Sequence, residues 1–296
     1  MEFTQTHLSM TETAERAWGV GSTVDRLRRV LVRTPTTEGD FAAAAWRTPD
    51  PDSLRSEHKA FVALLESLGC AVEVGEAAAP LVDSVYTHDP VIMTPFGAIL
   101  LQMGKPIRRP EPALTRKDLD RLGVPVLGEL TGEAIADGGD KVWFDPQTLA
   151  IGHGYRTNAA GIAQIRDLLA PHGVQVTDYD LPHFHGPGEV LHLMSVISPL
   201  AHDLAAVYEP LAPVRLLEFL DERGIDRVRV EEGEFASQGA NILAVAPRVL
   251  VMPEGNPNTV RTLREAGCQV HEFAAADLCV KGDGGPTCLT QPLWRA

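Results

Sequence analysis

One signature recurs five times along the chain: a charged stretch of helical character, a glycine, then a short run typical of a β-strand. The glycines are spaced by 54, 50, 51 and 43 residues, so the repeat is about fifty residues long. Each glycine fits the position just beyond a helix end, where a positive φ is needed. The five segments are LLESLGCAVEV (Gly69), LDRLGVPVLGE (Gly123), DLLAPHGVQVTDY (Gly173), FLDERGIDRVRVE (Gly224) and TLREAGCQVHEF (Gly267).

Sequence rich in strand-forming residues precedes each helix, and several stretches predict hairpins with turns at FG, DPQ and APR. The unit is therefore strand, strand, helix, strand. Such units cannot bury an apolar face alone, so they must share one core. We predict an α/β fold, a single-domain five-bladed ββαβ propeller over residues 21–296, after a flexible tail at 1–20. A last strand within PTCLTQPLW would close the ring with the first unit.

The alternative is an open, doubly wound α/β sheet. Such sheets often carry a glycine-rich phosphate loop directly after the first strand. The first predicted strand, RVLVRTP, is not followed by such a loop. We therefore favour the closed ring, with Pro- and Gly-rich loops at 104–113 and 182–188.

The composition and charge of the chain exclude some classes of binding partner. The chain has 26 Lys and Arg against 40 Asp and Glu, a formal net charge of −14, and no basic cluster that would bind nucleic acid. No apolar run approaches the ~18 residues of a membrane span, and the first residues lack an apolar signal core. Four cysteines are too few for a disulfide scaffold, so we expect reduced thiols in a cytoplasm.

Among the cysteines, one stands out as a candidate nucleophile. Cys70 and Cys268 follow the glycine of two repeats, where the other repeats have Val or Ile, so they fit small apolar strand residues. Cys279 is ambiguous. Cys288 follows GDGGP, a segment that fixes a turn and lets a backbone approach closely, and such a loop can present a reactive thiol.

The segment HFHGPGEVLHLMS holds His183, His185, Glu189 and His192. His-x-His followed by Glu resembles the metal motif of cupins, which are small β-barrels. A cupin needs nearly pure β-sequence, which the repeated helices contradict, so no metal site is expected. We place His183 and His185 in a loop at the mouth of a site. His192 begins a strand pattern, which would hold it rigidly enough for general acid–base chemistry.

Three carboxylates lie where a repeat's first strand begins: Asp89 in YTHDP, and Asp137 and Asp140 in ADGGD. Any one of them alone is explained as a turn or cap residue. In a propeller, however, these strand starts converge on the axis. The same place in the fourth unit holds His192, and the closing segment holds Cys288, so the joint pattern predicts a site there.

Together, HDP, DGGD, GYRTN, LHLMS and GGPTCLTQP resemble the guanidino-group-modifying enzymes: dimethylargininase, arginine deiminase and the amidinotransferases. The resemblance runs from about Arg26 to Trp294 and is closest in motif to dimethylargininase. It implies the five-bladed propeller called the pentein fold. It also implies a cysteine-dependent hydrolase that acts on arginine-type guanidines through a covalent amidino-thioether, giving citrulline plus an amine or ammonia.

The resemblance assigns roles to individual residues. Cys288 matches the nucleophile, and His192 matches the general acid and base. Asp137 and Asp89 match acids that hold the guanidinium, and we count Asp137 among the catalytic residues. Arg156 matches an arginine that binds the substrate carboxylate. Either Arg108 or Arg109 is expected to do the same, and we favour Arg109. Asp140 is the last substrate-binding candidate.

One position separates the subfamilies. Deiminases and amidinotransferases carry His-x-Asp, whereas this chain has Met194 in place of that Asp, as dimethylargininases have a non-acidic residue there. Loss of an acceptor suits a substrate whose nitrogen bears a substituent and has fewer N–H donors. Deamination of arginine and amidino transfer to an amine stay as alternatives. We expect a small guanidino substrate, no cofactor, no nucleic acid or membrane partner, and a homodimer as the assembly to test.

Overall fold

The computed structural model describes residues 17–189 and 191–296, which form five three-stranded sheets. Every sheet has the same construction: the first strand pairs antiparallel with the middle strand, and a third strand, reached through a helix, pairs parallel with the middle one. The five sheets are the blades of a ββαβ propeller. The predicted fold is confirmed, and the open sheet and the cupin barrel are excluded.

The strands and helices follow the blades in order. The strands are β1 (Leu27–Arg33), β2 (Ala71–Gly75), β3 (Val91–Thr94), β4 (Gly97–Leu100), β5 (Val126–Glu129), β6 (Lys141–Asp145), β7 (Thr148–His153), β8 (Gln175–Asp180), β9 (Ile197–Ala201), β10 (Leu204–Val207), β11 (Asp226–Arg229), β12 (Leu243–Ala246), β13 (Val249–Pro253), β14 (Gln269–Phe273) and β15 (Gln291–Arg295). The helices are α1 (Pro51–Ser67), α2 (Glu111–Arg121), α3 (Ala159–Leu169), α4 (Leu193–Val196), α5 (Val214–Glu222) and α6 (Pro257–Glu265). No helix in the described part of the chain is long and apolar enough to cross a membrane.

The five repeated glycines all end a helical segment in the left-handed region, with φ between 64° and 87°. A side chain bearing Cβ is strained in this conformation, which explains why glycine recurs at this place. From each glycine the chain turns back and enters the third strand of the blade. The helix periodicity and the glycine together therefore predicted the blade correctly.

The last strand closes the ring, as predicted. β15 pairs antiparallel with β1, with Gln291 opposite Leu31, so blade 1 combines the two ends of the described chain. The predicted tail at 1–20 lies outside the described residues up to residue 16. Its described end is packed, because the Gly19 N–H donates to the Leu293 carbonyl at 2.7 Å and Val20 is buried.

Apolar side chains between strands and helices form four buried clusters around the ring. Trp143 in β6 lies at the boundary between two blades, where its indole N–H donates to the Met93 carbonyl of β3 at 3.1 Å. This bond satisfies a buried donor that would otherwise be costly. The predicted loop at 182–188 is confirmed, but 104–113 instead contains a 3₁₀ turn, Pro106–Arg108, and the start of α2.

Leu293→Ala tests whether β15 is part of the cooperative core. Leu293 is fully buried in the cluster shared with blades 2 and 3, so the variant should lower the free energy of unfolding by about 2–5 kcal/mol. Urea unfolding followed by circular dichroism measures the change. Val214→Ala, at a position 70% exposed, is the control and should change stability by less than about 0.5 kcal/mol. Equal effects of the two substitutions would mean that the closing strand frays independently.

Candidate active site

A cavity of about 470 Å³ opens at the end of the propeller axis where the first strands of the blades begin. Each blade brings one polar residue to this point, a few positions ahead of its first strand. In blade order from the second blade these residues are Asp89, Asp137, His192, Asn241 and Cys288. Cys288 and His192, which are far apart in sequence, line the same cavity, and so do Asp89 and Asn241.

Cys288 is presented by the turn that follows two glycines. Its Sγ accepts a hydrogen bond from Asn241 Nδ2 at 3.1 Å, and Asn241 Oδ1 accepts from the Thr287 N–H at 3.1 Å. Gly285 packs against the Asn241 side chain so closely that a Cβ there would lie 2.5 Å from it. Burial, together with the nearby Asp89 carboxylate, raises the pKa of the Cys288 thiol to about 11. The free site therefore holds a protonated thiol at neutral pH.

His192 caps the N-terminus of the short helix α4, so the prediction that it begins a strand is wrong. Its backbone N–H donates to Ser195 Oγ at 3.0 Å, and its ring packs over Gly139, where a Cβ would lie 2.3 Å from Nδ1. Nε2 lies 3.3 Å from Asp137 Oδ2. Burial lowers the pKa of His192, but the carboxylates of Asp140 and Asp137 outweigh this and raise it overall.

Asp137 supports the site from behind and does not line the cavity. Its side chain is fully covered; Oδ1 accepts from the Gly104 N–H at 3.0 Å, and Oδ2 lies 3.3 Å from both the His192 ring and Arg156 Nη1. The carboxylate thus orients an imidazole and an arginine at once. This differs from the prediction that Asp137 grips a guanidinium directly, because the DGGD turn points its side chain toward α4.

Asp140 does not reach the cavity either, which corrects its assignment as a substrate-binding residue. It accepts a hydrogen bond from Thr157 Oγ1 at 2.6 Å and from the Leu193 N–H at 2.9 Å. The second bond satisfies a free N–H at the start of α4. Burial raises the pKa of Asp140 to about 6. Its role in the fold is to hold the helix that carries His192.

Asp89 lines the cavity but is already engaged by Arg108. Arg108 Nη1 donates to Asp89 Oδ2 at 2.6 Å, and the Gly139 N–H donates to Asp89 Oδ1 at 3.1 Å. Although burial raises the pKa of Asp89, the Arg108 guanidinium brings it well below its usual range. Arg108 also pairs with buried Glu111 at 2.7 Å. Burial raises the pKa of Glu111 to about 7.

Arg109, which we favoured as a substrate-binding residue, does not line the catalytic cavity. Arg109 lines a separate groove beside α2, whereas its neighbour Arg108 faces the catalytic cavity. The 3₁₀ turn at Pro106–Arg108 sends these adjacent side chains in different directions, which the RR doublet alone could not show. Arg156 lines the cavity as expected.

The wall of the cavity is part apolar and its mouth is charged. Met194, which is 4% exposed, lines the cavity close to the catalytic pair. It occupies the position where deiminases and amidinotransferases carry the Asp of His-x-Asp. At the mouth, Lys105 pairs with Asp83 at 2.7 Å and Arg47 pairs with Asp283 at 3.1 Å. A ligand that fits this cavity thus meets an apolar wall at its depth and ionic pairs near solvent.

The loop at 182–188 lies partly over the mouth. His185 lines the cavity, as predicted for this loop, but His183 turns outward, with Nδ1 2.7 Å from the Tyr155 hydroxyl. The histidines of the cupin-like motif are therefore separated. Within residues 17–189 and 191–296, no group of three or more His, Cys, Asp or Glu side chains is placed to hold a metal ion.

Sequence reasoning missed Asn241, the hydrogen-bond donor to Cys288. The signal was present: Asn241 stands two residues ahead of β12, at the same place in its blade as Asp89 in blade 2. The predicted site residues are all titratable side chains, and an amide is not one of them. The repeat itself should have drawn attention to it.

Comparisons with known proteins agree with this geometry. The family model described as "Arginine deiminase" matches residues 76–222 and 212–295. An arginine deiminase of Lactococcus lactis is 26% identical over 95% of this chain and 77% of its own length. The match to another arginine deiminase from this species covers 62% of that enzyme's length. A dimethylarginine dimethylaminohydrolase of Pseudomonas aeruginosa is 25% identical over 89% of this chain and 98% of its own length.

Among solved structures, the N-terminal domain of ArgZ, a cyanobacterial arginine dihydrolase, matches with a TM-score of 0.78 at 19% identity. A second structure, of a variant of that domain, holds a covalently bound reaction intermediate, and its match covers 90% of this chain and 98% of that domain. This likeness supports the fold. The family model spans most of the chain, and its matched residues include the four polar residues that line the cavity and Asp137 behind them. The chain belongs to the arginine deiminase family.

Proposed function

We propose that this protein is a cysteine hydrolase of arginine-type guanidines, with N-substituted arginines as the preferred substrates. The observation that carries the proposal is the convergence of Cys288, His192 and Asp89 on one cavity, in a chain of the arginine deiminase family. These are a nucleophile, a proton carrier and an anion for a cationic substrate, the three functions that this hydrolysis needs.

Substrate binding supplies the positive charge that the free site lacks. A guanidinium is planar and protonated at neutral pH, and its paired N–H groups match a carboxylate. Asp89 keeps acceptor capacity beyond its bonds to Arg108 and Gly139, because an ionised carboxylate has about four acceptor sites. We assign the substrate carboxylate to Arg156, which pairs with Asp137 and lines the cavity.

The cation also activates the nucleophile. Burial and Asp89 keep the Cys288 thiol protonated in the free site, and a guanidinium bound beside the sulfur favours the thiolate. The thiol proton leaves to solvent through the cavity, and the thiolate attacks the central carbon and forms a C–S bond. His192, protonated with the support of Asp140 and Asp137, gives its proton to the departing amine as the C–N bond breaks.

Water completes the reaction. The amine leaves, and neutral His192 takes a proton from a water molecule, which attacks the amidino-thioether carbon. The C–S bond then breaks, sulfur keeps the electron pair, and the remaining proton of the attacking water leaves to solvent as the C=O bond forms. The products are a ureido compound and an amine, which for a methylated arginine are citrulline and the methylamine. Asn241, bonded to the sulfur, stabilises its negative charge at the beginning and at the end.

Met194 supports substituted substrates. A substituted nitrogen has fewer N–H donors and adds an apolar group, and the Met194 wall gives that group a contact without leaving a donor unpaired. Unsubstituted arginine is the second candidate, because the family model and the Lactococcus relative are described as arginine deiminases.

The proposed reaction uses a small-molecule substrate and no cofactor. We further propose a cytoplasmic location, because Cys70, Cys268, Cys279 and Cys288 are all unpaired and the reaction requires a free thiol. A homodimer stays a prediction.

Cys288→Ser should lower ureido-product formation by about a thousandfold or more, because a hydroxyl is a much weaker nucleophile than a thiolate. Colorimetric citrulline detection measures the rate, and circular dichroism checks the fold. Cys268→Ser, at a buried thiol in the apolar cluster of blades 4 and 5, is the matched control and should keep near wild-type activity. Wild-type rates in the serine variant would remove the nucleophile assignment.

Met194→Asp should change substrate preference toward arginine. The new carboxylate accepts from the unsubstituted nitrogen, so the ratio of kcat/KM for arginine over dimethylarginine should rise by about tenfold, the effect of one charge-assisted hydrogen bond. Met194→Asn has the same size without the charge and should shift the ratio far less. A ratio that is equal in both variants would show that Met194 does not govern this choice.

Asp137→Asn should lower the pKa of His192, because the carboxylate hydrogen bond favours the imidazolium. The acid form is then lost at a lower pH, and less of it is present at neutral pH. Titration of the imidazole C–H resonances by NMR reads this directly. Asp203→Asn removes an equal charge at the exposed β9–β10 turn and serves as the comparison. A shift of the same size in both variants would contradict the assigned contact.

A further inference from the structure

Within residues 17–189 and 191–296, four carboxylates line the catalytic cavity, and one of them, Glu189, lacks a cation. The other three pair with basic side chains of the same cavity, at distances from 2.6 to 3.1 Å: Asp83 with Lys105, Asp89 with Arg108, and Asp283 with Arg47. Glu189 is exposed and makes no ion pair and no side-chain hydrogen bond in the described chain. A ligand that brings its own positive charge can therefore neutralise it.

The charge of Glu189 faces the mouth of the cavity. Burial raises the pKa of Asp283, the Arg47 charge opposes this effect, and the Glu189 charge adds to it. Asp283 lies in the loop that leads to Cys288. The Glu189 carboxylate thus lies across the mouth from the nucleophile loop, on the path by which a ligand enters.

The loop that leads to Glu189 is held against the segment that carries Arg156. The Tyr155 hydroxyl lies 2.7 Å from His183 Nδ1, and the two rings meet edge to face with their centroids 5.9 Å apart. The Glu189 N–H donates to the Gly186 carbonyl at 3.2 Å, which closes a turn. These contacts fix the position of Glu189 relative to the neighbour of Tyr155, which is Arg156.

A second contact holds the other side of this loop. Phe184 packs edge to face against Phe235, with ring centroids 6.1 Å apart, and both rings line the catalytic cavity. Phe235 lies between β11 and β12, so the loop is attached to two different blades. A carboxylate on a loop held at two points can contribute to specificity.

Arg156 and Glu189 stand at one boundary of the cavity. Both side chains line the catalytic cavity and also a neighbouring groove of about 390 Å³. One is a cation that pairs with Asp137 and the other is an anion without a described partner. An α-amino acid carries a carboxylate and an ammonium group on one carbon, so it presents the two opposite charges close together.

We propose that Glu189 binds the α-ammonium group of the substrate, while Arg156 binds its carboxylate. The site then selects arginine-type α-amino acids over guanidines that lack the α-ammonium group. The inference rests on the proposed function, in which Asp89 holds the guanidinium beside Cys288. With the guanidinium there, the amino-acid end of the substrate points away from the sulfur, toward the mouth that Glu189 faces.

Asp83, which also lines this cavity, is a poorer partner for the ammonium group. Its Oδ1 accepts from the Trp46 indole N–H at 2.7 Å, and its Oδ2 accepts from Lys105 Nζ at 2.7 Å. Its charge is therefore already matched by an ammonium group of the protein. Glu189 offers both oxygens, and binding there displaces no contact of the described chain.

Calorimetric titration in a Cys288→Ser background measures binding without turnover. Nω-methyl-L-arginine and 5-(methylguanidino)pentanoate differ only in the α-amino group, so the ratio of their Kd values isolates its contribution. Glu189→Gln keeps the size of the side chain and should reduce the preference for the amino acid by about fivefold, the effect of one exposed charge pair. Added salt should weaken this preference in the background protein and have less effect in the Gln variant.

Glu254→Gln removes the same charge at the exposed residue after β13 and is the matched control, which should leave the ratio unchanged. An unchanged ratio in Glu189→Gln would overturn the inference. So would an equal loss of affinity for both ligands, because it would mean that Glu189 acts on the loop and not on the ammonium group. Failure of the proposed function looks different: neither ligand would bind, and the wild type would form no ureido product.

Discussion

The antiparallel pairing of β15 with β1 is the contact on which the site depends. Cys288 stands three residues ahead of β15, and the polar residues that precede the first strands of the other blades come from blades 2 to 5. Only when the last strand enters the first blade does the ring close and bring the sulfur to the axis. The catalytic pair is thus a product of ring closure, since the chain between His192 and Cys288 includes three complete helices, α4, α5 and α6. Stability of the closing strand and reactivity of the thiol are properties of the same pairing.

Ring closure also buries several charged side chains close together. They are stabilised by ion pairs in which one residue contacts two partners. Arg108 bridges Asp89 and Glu111, and Asp137 bridges His192 and Arg156. Removing one member of such a set leaves another buried and unpaired, which costs more than the contact contributes. The thiol is the exception, because burial makes its neutral form the stable one. The site is therefore prepared for a cation that only the substrate brings.

The sequence predicted the blades because the information is local. A helix pattern, a glycine at positive φ and an alternating run lie within about fifteen residues, and all five repeats carried them. The direction of individual side chains was not predictable in the same way. Asp140 and Arg109 sit in the expected segments, yet one turns to cap α4 and the other turns to a separate groove. A turn that rotates one residue by a third of a circle decides this, and no motif records it.

The positions in the repeat therefore carry more information than the residue types. The segment just ahead of the first strand holds Asp, Asp, His, Asn and Cys in successive blades. The fold brings all five residues to the same end of the propeller axis. Residue type then decides the chemistry: an anion for the substrate, a support for the imidazole, the proton carrier, a donor to sulfur and the nucleophile. Asn241 shares this position ahead of its strand, but its amide is not titratable and residue type alone does not identify it. In a closed ring of repeats, the equivalent position in every unit should be examined whatever residue occupies it, since symmetry delivers each of them to the axis.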